Sequence, residues 1–370
     1  MDDPQERLAI FVPSMLGGGA ERVALNLARG ISERGYLVDL VLAEAQGPYL
    51  AEVPASVRVV DLKASRTLKS LPGLVRYLRR ERPQAMLSVL GHANLIALWA
   101  RRLADVPSRV VVSVRNTLSR SAQHSPSLRN SLTLKLIRRY YPWADGIVAV
   151  SKGVADDLSQ VAGIARDRIQ VIYNPIVTPT LREKARAPLD HPWFMNGQAP
   201  VVLSVGRLTA TNQKDFPTLI EAFAQVRRSR PARLMILGEG EQRANLEAMV
   251  KQLGLEQDVL LPGFVANPYP YMRRASVFVL SSRWEGLPGV LIEGLYCGAP
   301  LVATDCPSGP REILKDGQYG QLVPVGDVSG MARAIETSLD GETIVPPHES
   351  WLPFETASVV GQYLDILLGT

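Results

Sequence analysis

The chain has 370 residues, 46% of them apolar and 21% charged, with a net charge of +5. That length exceeds one ordinary core and predicts two domains, and the composition excludes a disordered or fibrous chain. No apolar run reaches the eighteen or so residues that a membrane-spanning helix needs.

The start, MDDPQERLAIFVPS, carries acid where an export signal carries positive charge, and reads directly into a strand at 8–12. A glycine-rich loop follows at 14–19, then a helix over 20–34 with Val23, Leu27 and Ile31 in one stripe. Strands are expected at 37–42 and 57–62, a basic helix at 74–82, a strand at 86–90 and a helix at 94–103. The segment 110–114 is so apolar that both faces must be covered, as in a parallel sheet. A polar loop, a basic amphipathic stretch, a strand at 146–150, a helix at 154–161 and a strand at 169–172 complete a doubly wound α/β pattern.

Residues 175–200 are rich in proline and charge and read as the connection between domains. A second α/β series follows, with strands at 201–205, 234–237, 259–261, 276–280 and 300–304 and helices at 216–228 and 243–253. The end, 351–368, is helical in character. The expected division is a first domain over 1–177, a linker over 178–199, a second domain over 200–345 and a helical segment over 346–370 that packs back on the first.

The stretch SSRWEGLPGVLIEGLYC, 281–297, carries the densest chemistry. A turn through Leu287, Pro288 and Gly289 enters a helix whose first turn accommodates Pro288, with Glu285 before the turn and Glu293 about one helical turn inside. Free N–H groups at such a helix start attract an anion. Arg207 and Lys214 lie in one strand-to-helix loop of the second half, where paired cations neutralise a departing diphosphate; the bland reading is two solvated loop cations. In the first half Gly17, Gly18 and Gly19 link strand to helix, which suits either close approach of an anion or a tight packing turn; the loop is neither a dinucleotide fingerprint nor a Walker loop.

The set GGGAER, GRL with Asp215-Phe216, GEGE, GFV, EGLP with Glu-x7-Glu, and DCPSGPREIL resembles the retaining glycosyltransferases of family 4. The resemblance implies the GT-B architecture, two Rossmann-like doubly wound α/β domains facing a deep cleft, and transfer of a sugar from a nucleotide diphospho-sugar to an acceptor hydroxyl. It implies that Glu285 contacts the donor sugar and Glu293 the ribose. Arg207 and Lys214 would stabilise the diphosphate, aided by the amides of 287–289 and by the loop containing Gly18 and Gly19, and Phe264 and Val265 would border the base. The leaving phosphate would deprotonate the acceptor, so the two carboxylates are not a glycosidase pair. Where many relatives carry histidine at the end of the 110–114 strand, this chain has Arg115 and Asn116; Arg115 suits an anion but cannot act as a base near neutral pH. His92, at an earlier strand end, has either a cleft role or a structural one.

Part of the pattern is similar to bacterial enzymes that build O-antigens, capsules and protein-linked glycans, which favours UDP-hexose or UDP-N-acetylhexosamine; a GDP-mannose-type donor or a small-molecule acceptor is the alternative. No cofactor and no metal are expected: four histidines, Cys297 and Cys306 form no ligand cluster, and no Asp-x-Asp clamp occurs. Two cysteines make no disulfide scaffold, so a cytoplasmic setting is expected.

Residues 1–175 hold 24 Lys and Arg against 15 Asp and Glu, and the remainder 17 against 21. This basic first half points to phosphate, nucleic acid or an anionic membrane surface. Arg120, Arg129, Lys135, Arg138 and Arg139, with Leu128, Leu132, Leu136 and Tyr140 at four-residue spacing, predict a helix that either lies on anionic headgroups or packs on the sheet. The expected acceptor is a glycan or a lipid-linked diphosphate, at the inner face of the cytoplasmic membrane. A sugar-nucleotide epimerase and a nucleic-acid or scaffold protein are the readings from other classes; the latter lacks an aromatic-basic platform and is not favoured.

Overall fold

A computed structural model describes residues 6–119 and 128–370 of the chain, without the side chains of 128–131. It divides into two compact units, Met1–Ile176 with Pro353–Thr370, and Val177–Leu352. Residues 178–199 therefore group with the second unit, and the chain's C-terminal helix with the first.

The first unit is built on a seven-stranded parallel sheet in the order β3-β2-β1-β4-β5-β6-β7. Its strands are β1 (Arg7–Val12), β2 (Leu37–Leu42), β3 (Val57–Asp61), β4 (Ala85–Val89), β5 (Arg109–Val114), β6 (Gly146–Ala149) and β7 (Ile169–Val171). Central strands such as β4 are buried along their whole length, as their unbroken apolar runs require. The crossovers are α1 (Gly19–Ser32), α2 (Leu71–Glu81), α3 (Gly91–Ala104), α4 (Leu128–Tyr140) and α5 (Lys152–Ala162). In α1 the stripe of Val23, Leu27 and Ile31 lies in the core beside Leu8, Ile10 and Val12 of β1. Ser151 caps α5, accepting the Val154 N–H at 3.2 Å.

Near the start of this sheet Asp39 of β2 is fully buried. It accepts from Arg7 at 2.9 Å, from the Arg58 Nε at 2.8 Å and from the Tyr77 hydroxyl at 2.7 Å. Three donors compensate a carboxylate that would otherwise be costly inside the protein.

The second unit holds a six-stranded parallel sheet in the order β10-β9-β8-β11-β12-β13. These strands are β8 (Val201–Val205), β9 (Arg233–Leu237), β10 (Val259–Gly263), β11 (Val277–Leu280), β12 (Leu301–Thr304) and β13 (Gln321–Val323). Its helices are α6 (Pro179–Lys184), α7 (Phe216–Ser229), α8 (Arg243–Gln252), α9 (Tyr269–Arg274), α10 (Gly289–Cys297), α11 (Pro310–Ile313) and α12 (Val328–Leu339). The chain then returns to the first unit as α13 (Thr356–Leu368), whose Val359, Val360, Tyr363 and Leu367 enter the core around α1.

Of the basic stretch singled out in the sequence, Arg120 lies outside the described residues, as do the side chains of Leu128 and Arg129. Within the rest of α4, Ile137 is fully buried and Leu132 is 55% exposed, so one side packs and another faces solvent. Among the described residues no helix is long and apolar enough to cross a membrane.

Candidate active site

The carboxyl ends of β8, β9 and β10 are stitched together by their loops. Gly206 N–H donates to Leu237 O at 2.9 Å, Leu208 N–H to Glu239 O at 2.9 Å, and Gly238 N–H to Gly263 O at 2.9 Å. A Cβ at Gly238, whose φ is +153°, would lie 1.9 Å from Gly206 O, so the first glycine of GEGE is a packing requirement. The stitching fixes the loop that starts with Arg207.

Asp215 holds the far end of that loop. It sits in the left-handed region at φ +47°, is 1% exposed, and receives the Thr218 hydroxyl at 2.9 Å and Arg283 Nε at 3.0 Å. Lys214 is the residue before it. The Lys214 stem passes close to Gly206, where a Cβ would come within 3.1 Å of it. A second loop, after β11, closes against the first. Ser281 Oγ donates to Lys214 O at 2.6 Å, Arg283 N–H to Gln213 O at 2.8 Å and Gln213 Nε2 to Trp284 O at 3.0 Å.

This zipper brings Lys214 Nζ to 2.8 Å from Glu285 Oε1. Ser282 Oγ, fully buried, donates to the same oxygen at 2.7 Å. Glu285 is thus a mostly buried carboxyl group held in place by an ammonium and a hydroxyl. Arg207 is exposed, and together with Lys214, Thr209, Asn212 and Gln242 it lines a narrow crevice with no room for a water molecule. Two cations and one fixed carboxylate therefore stand at one edge of the sheet.

The turn after Glu285 leads into α10. Pro288 is the capping residue, with ψ 101°, and the helix proper starts at Gly289, one residue later than a proline in the first turn would place it. Pro288 gives that end no side-chain hydrogen bond, and the first-turn N–H groups of α10 point out of the helix there. The Ser308 hydroxyl donates to Gly286 O at 2.9 Å and steadies the turn from the β12 side. Glu293, half-buried one turn inside α10, receives the Tyr269 hydroxyl at 3.5 Å. Leu287 is buried under the turn, whereas Phe264, after β10, is 78% exposed and Val265 half-buried. Cys306 lies buried near Glu285; burial, then that carboxylate, push its thiol up to about 12. Burial does the same to Cys297 at the end of α10, also to about 12.

The first-unit candidates are described by themselves. Gly17 has φ +98° and Gly18 is the uncapped start of α1. The carboxylate of Glu21 folds over Gly18, lying 2.4 Å from where a Cβ would stand, so this helix start already faces an acid of its own. Gly19 opens the helix with free space around it. His92 is exposed in the first turn of α3, and Asn116 is exposed after β5. Arg115 is buried, donating to Ser113 Oγ at 3.2 Å and to Asn174 Oδ1. Burial lowers its pKa, opposed by Tyr363 of α13 and by Glu21. Its immediate geometry is that of a strut joining β5 to the loop after β7.

Sequence reasoning singled out Arg207, Lys214, Glu285 and Glu293, named Asp215 only as part of a motif, and gave no role to Ser282, Gln213 and Tyr269, which hold them. Ser282 was visible three residues before Glu285, but a serine there carries no pattern of its own. Among the described residues no group of three or more His, Cys, Asp or Glu is arranged to hold a metal ion.

Comparison with known proteins gives the site its setting. Residues 17–178 match the family described as glycosyltransferase family 4, and residues 199–340 match glycosyl transferases group 1. The chain is 33% identical over 351 residues, 92% of each chain, to an N-acetylgalactosamine-N,N'-diacetylbacillosaminyl-diphospho-undecaprenol 4-alpha-N-acetylgalactosaminyltransferase of Campylobacter jejuni. It is 30% identical to the lipopolysaccharide core biosynthesis glycosyltransferase LpsE of Rhizobium meliloti, over 95% of this chain and 96% of that one. In fold it is similar to Anabaena HepE in complex with UDP and glucose, with a TM-score of 0.80 at 21% identity over 99% of this chain and 100% of that one. Two doubly wound parallel-sheet units, family matches on each half and a full-length relative at this identity make the chain a family 4 glycosyltransferase of GT-B fold.

Proposed function

We propose that the protein transfers a hexose or N-acetylhexosamine from a UDP-sugar to a hydroxyl of a lipid-linked glycan in cell-surface polysaccharide assembly, with retention at the anomeric carbon and without a metal ion. The observation that carries the reading is the Lys214–Glu285 pair beside Arg207 at the carboxyl edge of the second sheet. Glu285, fixed by Lys214 and Ser282, presents its other oxygen to hydroxyls of the donor sugar. Glu293, with Tyr269 beside it, takes the ribose hydroxyls. Lys214, Arg207 and the start of α10 stabilise the charge that the diphosphate gains as the bond from C1 to its oxygen breaks. Those fixed cations fill the role a divalent ion has elsewhere. The acceptor oxygen then bonds C1 on the face the phosphate leaves, and its proton passes to the departing phosphate oxygen.

The named relatives support the choice of substrates: one has a diphospho-undecaprenol acceptor in its name, and HepE has been seen with UDP. A thermal-shift screen across UDP-, GDP- and ADP-sugars, then nucleoside diphosphate release with a lipid-linked glycan fraction in the presence of EDTA, tests it. Stabilisation by UDP-sugars and chelator-resistant release are expected. Stabilisation by GDP-sugars alone overturns the donor, and release that needs added divalent ion overturns metal independence. Conversion of the donor with no acceptor present makes the protein an epimerase.

A further inference from the structure

Trp351 carries no chemistry of its own, yet it stands where three parts of the second unit meet. The chain enters this unit at Val177 and leaves it at Leu352, so Trp351 is the last residue but one before the return to the first unit. It lies in a 3-10 turn over His348–Phe354. Its ring meets Tyr296 of α10 edge-on at 5.2 Å and His348 at 5.8 Å, and the Arg182 guanidinium of α6 lies 4.8 Å from its centre. Trp351, Tyr296 and Arg182 are half-buried, and His348 is exposed. Ring edges and a stacked guanidinium have preferred directions, which ordinary apolar burial lacks.

Direction matters for α10. Leu291, Ile292 and Leu295 are buried and set how deep the helix lies, but non-directional burial fixes its roll about its own axis less firmly. Glu293 is three residues before Tyr296, which places both on one side of α10. A carboxylate at the rim of a helix, about 6 Å from the axis, moves about 1 Å for a roll of about 10°. A displacement of that size spoils a contact that must meet fixed hydroxyl positions. The hydrogen bond from Tyr269 of α9 to Glu293 is long, at 3.5 Å. The Trp351–Tyr296 contact adds a hold on the same side, nearly one turn further along.

We propose that Trp351 is a positioning residue for the nucleotide end of the site: set edge-on against Tyr296 and braced by Arg182, it fixes the roll of α10 and thereby the reach of Glu293. The inference rests on the reading of Glu293 as the group that takes the ribose hydroxyls. It adds that nucleotide recognition depends on the stretch through which the chain leaves the second unit. Trp351 then needs no contact with substrate, and its whole effect passes through Glu293. Mere packing would act differently, lowering stability and touching every ligand contact alike.

Calorimetry of the full chain with UDP, GDP and ADP, with donor KM and kcat measured alongside, tests it. For the nucleotide the wild type binds, Trp351→Ala should weaken affinity about tenfold and raise donor KM similarly, with kcat within a few fold. Trp351→Phe, which keeps a ring edge, should recover most of the loss. In a Glu293→Gln background Trp351→Ala should cost less than about a further twofold, because effects routed through one group do not add. An equal loss in both backgrounds overturns the proposal. Tyr296→Leu, which removes the ring from the α10 side and keeps a helix former, should show the same background dependence and serves if Trp351→Ala fails to fold by circular dichroism. Full affinity in Glu293→Gln overturns the ribose reading and this inference with it, whereas full affinity in Trp351→Ala beside a weakened Glu293→Gln overturns this inference alone. A wild type that takes none of the three nucleotides overturns both.

Discussion

Lys214 and Glu285 meet at 2.8 Å although 71 residues separate them in the chain. The loops that carry them are joined by three further hydrogen bonds, from Ser281, Arg283 and Gln213, so neither side chain can leave without disturbing the other loop. Geometry of this kind makes the pair one unit of charge placement.

The first prediction concerns that unit. Glu285→Gln keeps the shape and should lower turnover at least tenfold with little change in melting temperature. Lys214→Met also removes one of the cations proposed to face the diphosphate, and should cost about 100-fold or more, the scale of a lost transition-state donor. Nucleoside diphosphate release measures both, and near-normal turnover in Glu285→Gln would remove that carboxylate from the site.

Glu293 should behave differently. The proposed ribose contact would be made equally in ground and transition states, so Glu293→Gln should raise KM for the donor roughly tenfold and leave kcat within a few fold. Calorimetry with UDP should show the same loss. A fall in kcat at unchanged KM would move Glu293 from nucleotide binding into the chemistry.

Much of this was legible in the sequence because charge and periodicity announce themselves. The apolar run of β5 forecasts a fully covered parallel strand, those of β4 and β8 forecast strands, and the motifs around Arg207 and Glu285 forecast one edge of one sheet. What escaped was local and uncharged. The short edge strand β13 goes unassigned because three residues show no alternation, and α12 goes unassigned although Met331, Ala332 and Ile335 form its buried face. Ser282 reaches Glu285 only three residues on, and Asp215 gathers Thr218 nearby and Arg283 from 68 residues away, but neither pairing follows from a helical or strand period. The glycine loop before α1 suits either an anion or a packing turn, and no pattern in it announces that Glu21 folds over Gly18. Arg115 was read as a ligand group, and its described partners are Ser113 and Asn174.

Gly309 tests how tightly the turn before α10 must be held. Its φ is +95°, and a Cβ there would lie 2.5 Å from Pro288 Cδ and 3.1 Å from Gly286 O. Gly309→Ala should therefore push the 286–288 turn away from the start of α10. The expected result is a melting temperature lower by several degrees, for a loss of about 1–3 kcal/mol, together with weaker UDP binding. Gly298→Ala, which has φ +77° but open space around it, should affect stability alone. Equal UDP affinity in both variants would show that the turn tolerates displacement.

The last prediction lies away from the chemistry, at Asp39. Its carboxylate satisfies Arg7, Arg58 and Tyr77 at once, so Asp39→Ala strands two guanidinium groups and a hydroxyl beside a fully buried site. Breaking such a set typically costs about 3–5 kcal/mol, while Tyr77→Phe, which removes one neutral donor, should cost about 1 kcal/mol. Arg58 also reaches Glu81 at 2.8 Å, and its hydrogen bond holds that carboxyl below the ordinary value of 4.5. A depressed carboxyl contributes stability that is present above its unfolded pKa and lost as pH falls through the folded one. Urea midpoints should therefore drop on acidification from above 4.5, and Glu81→Gln should lower the neutral-pH midpoint while flattening that acid limb. A limb unchanged in Glu81→Gln would assign the acid sensitivity to other carboxylates, and a Tyr77→Phe protein as weak as Asp39→Ala would move the centre of the network from the acid to the phenol.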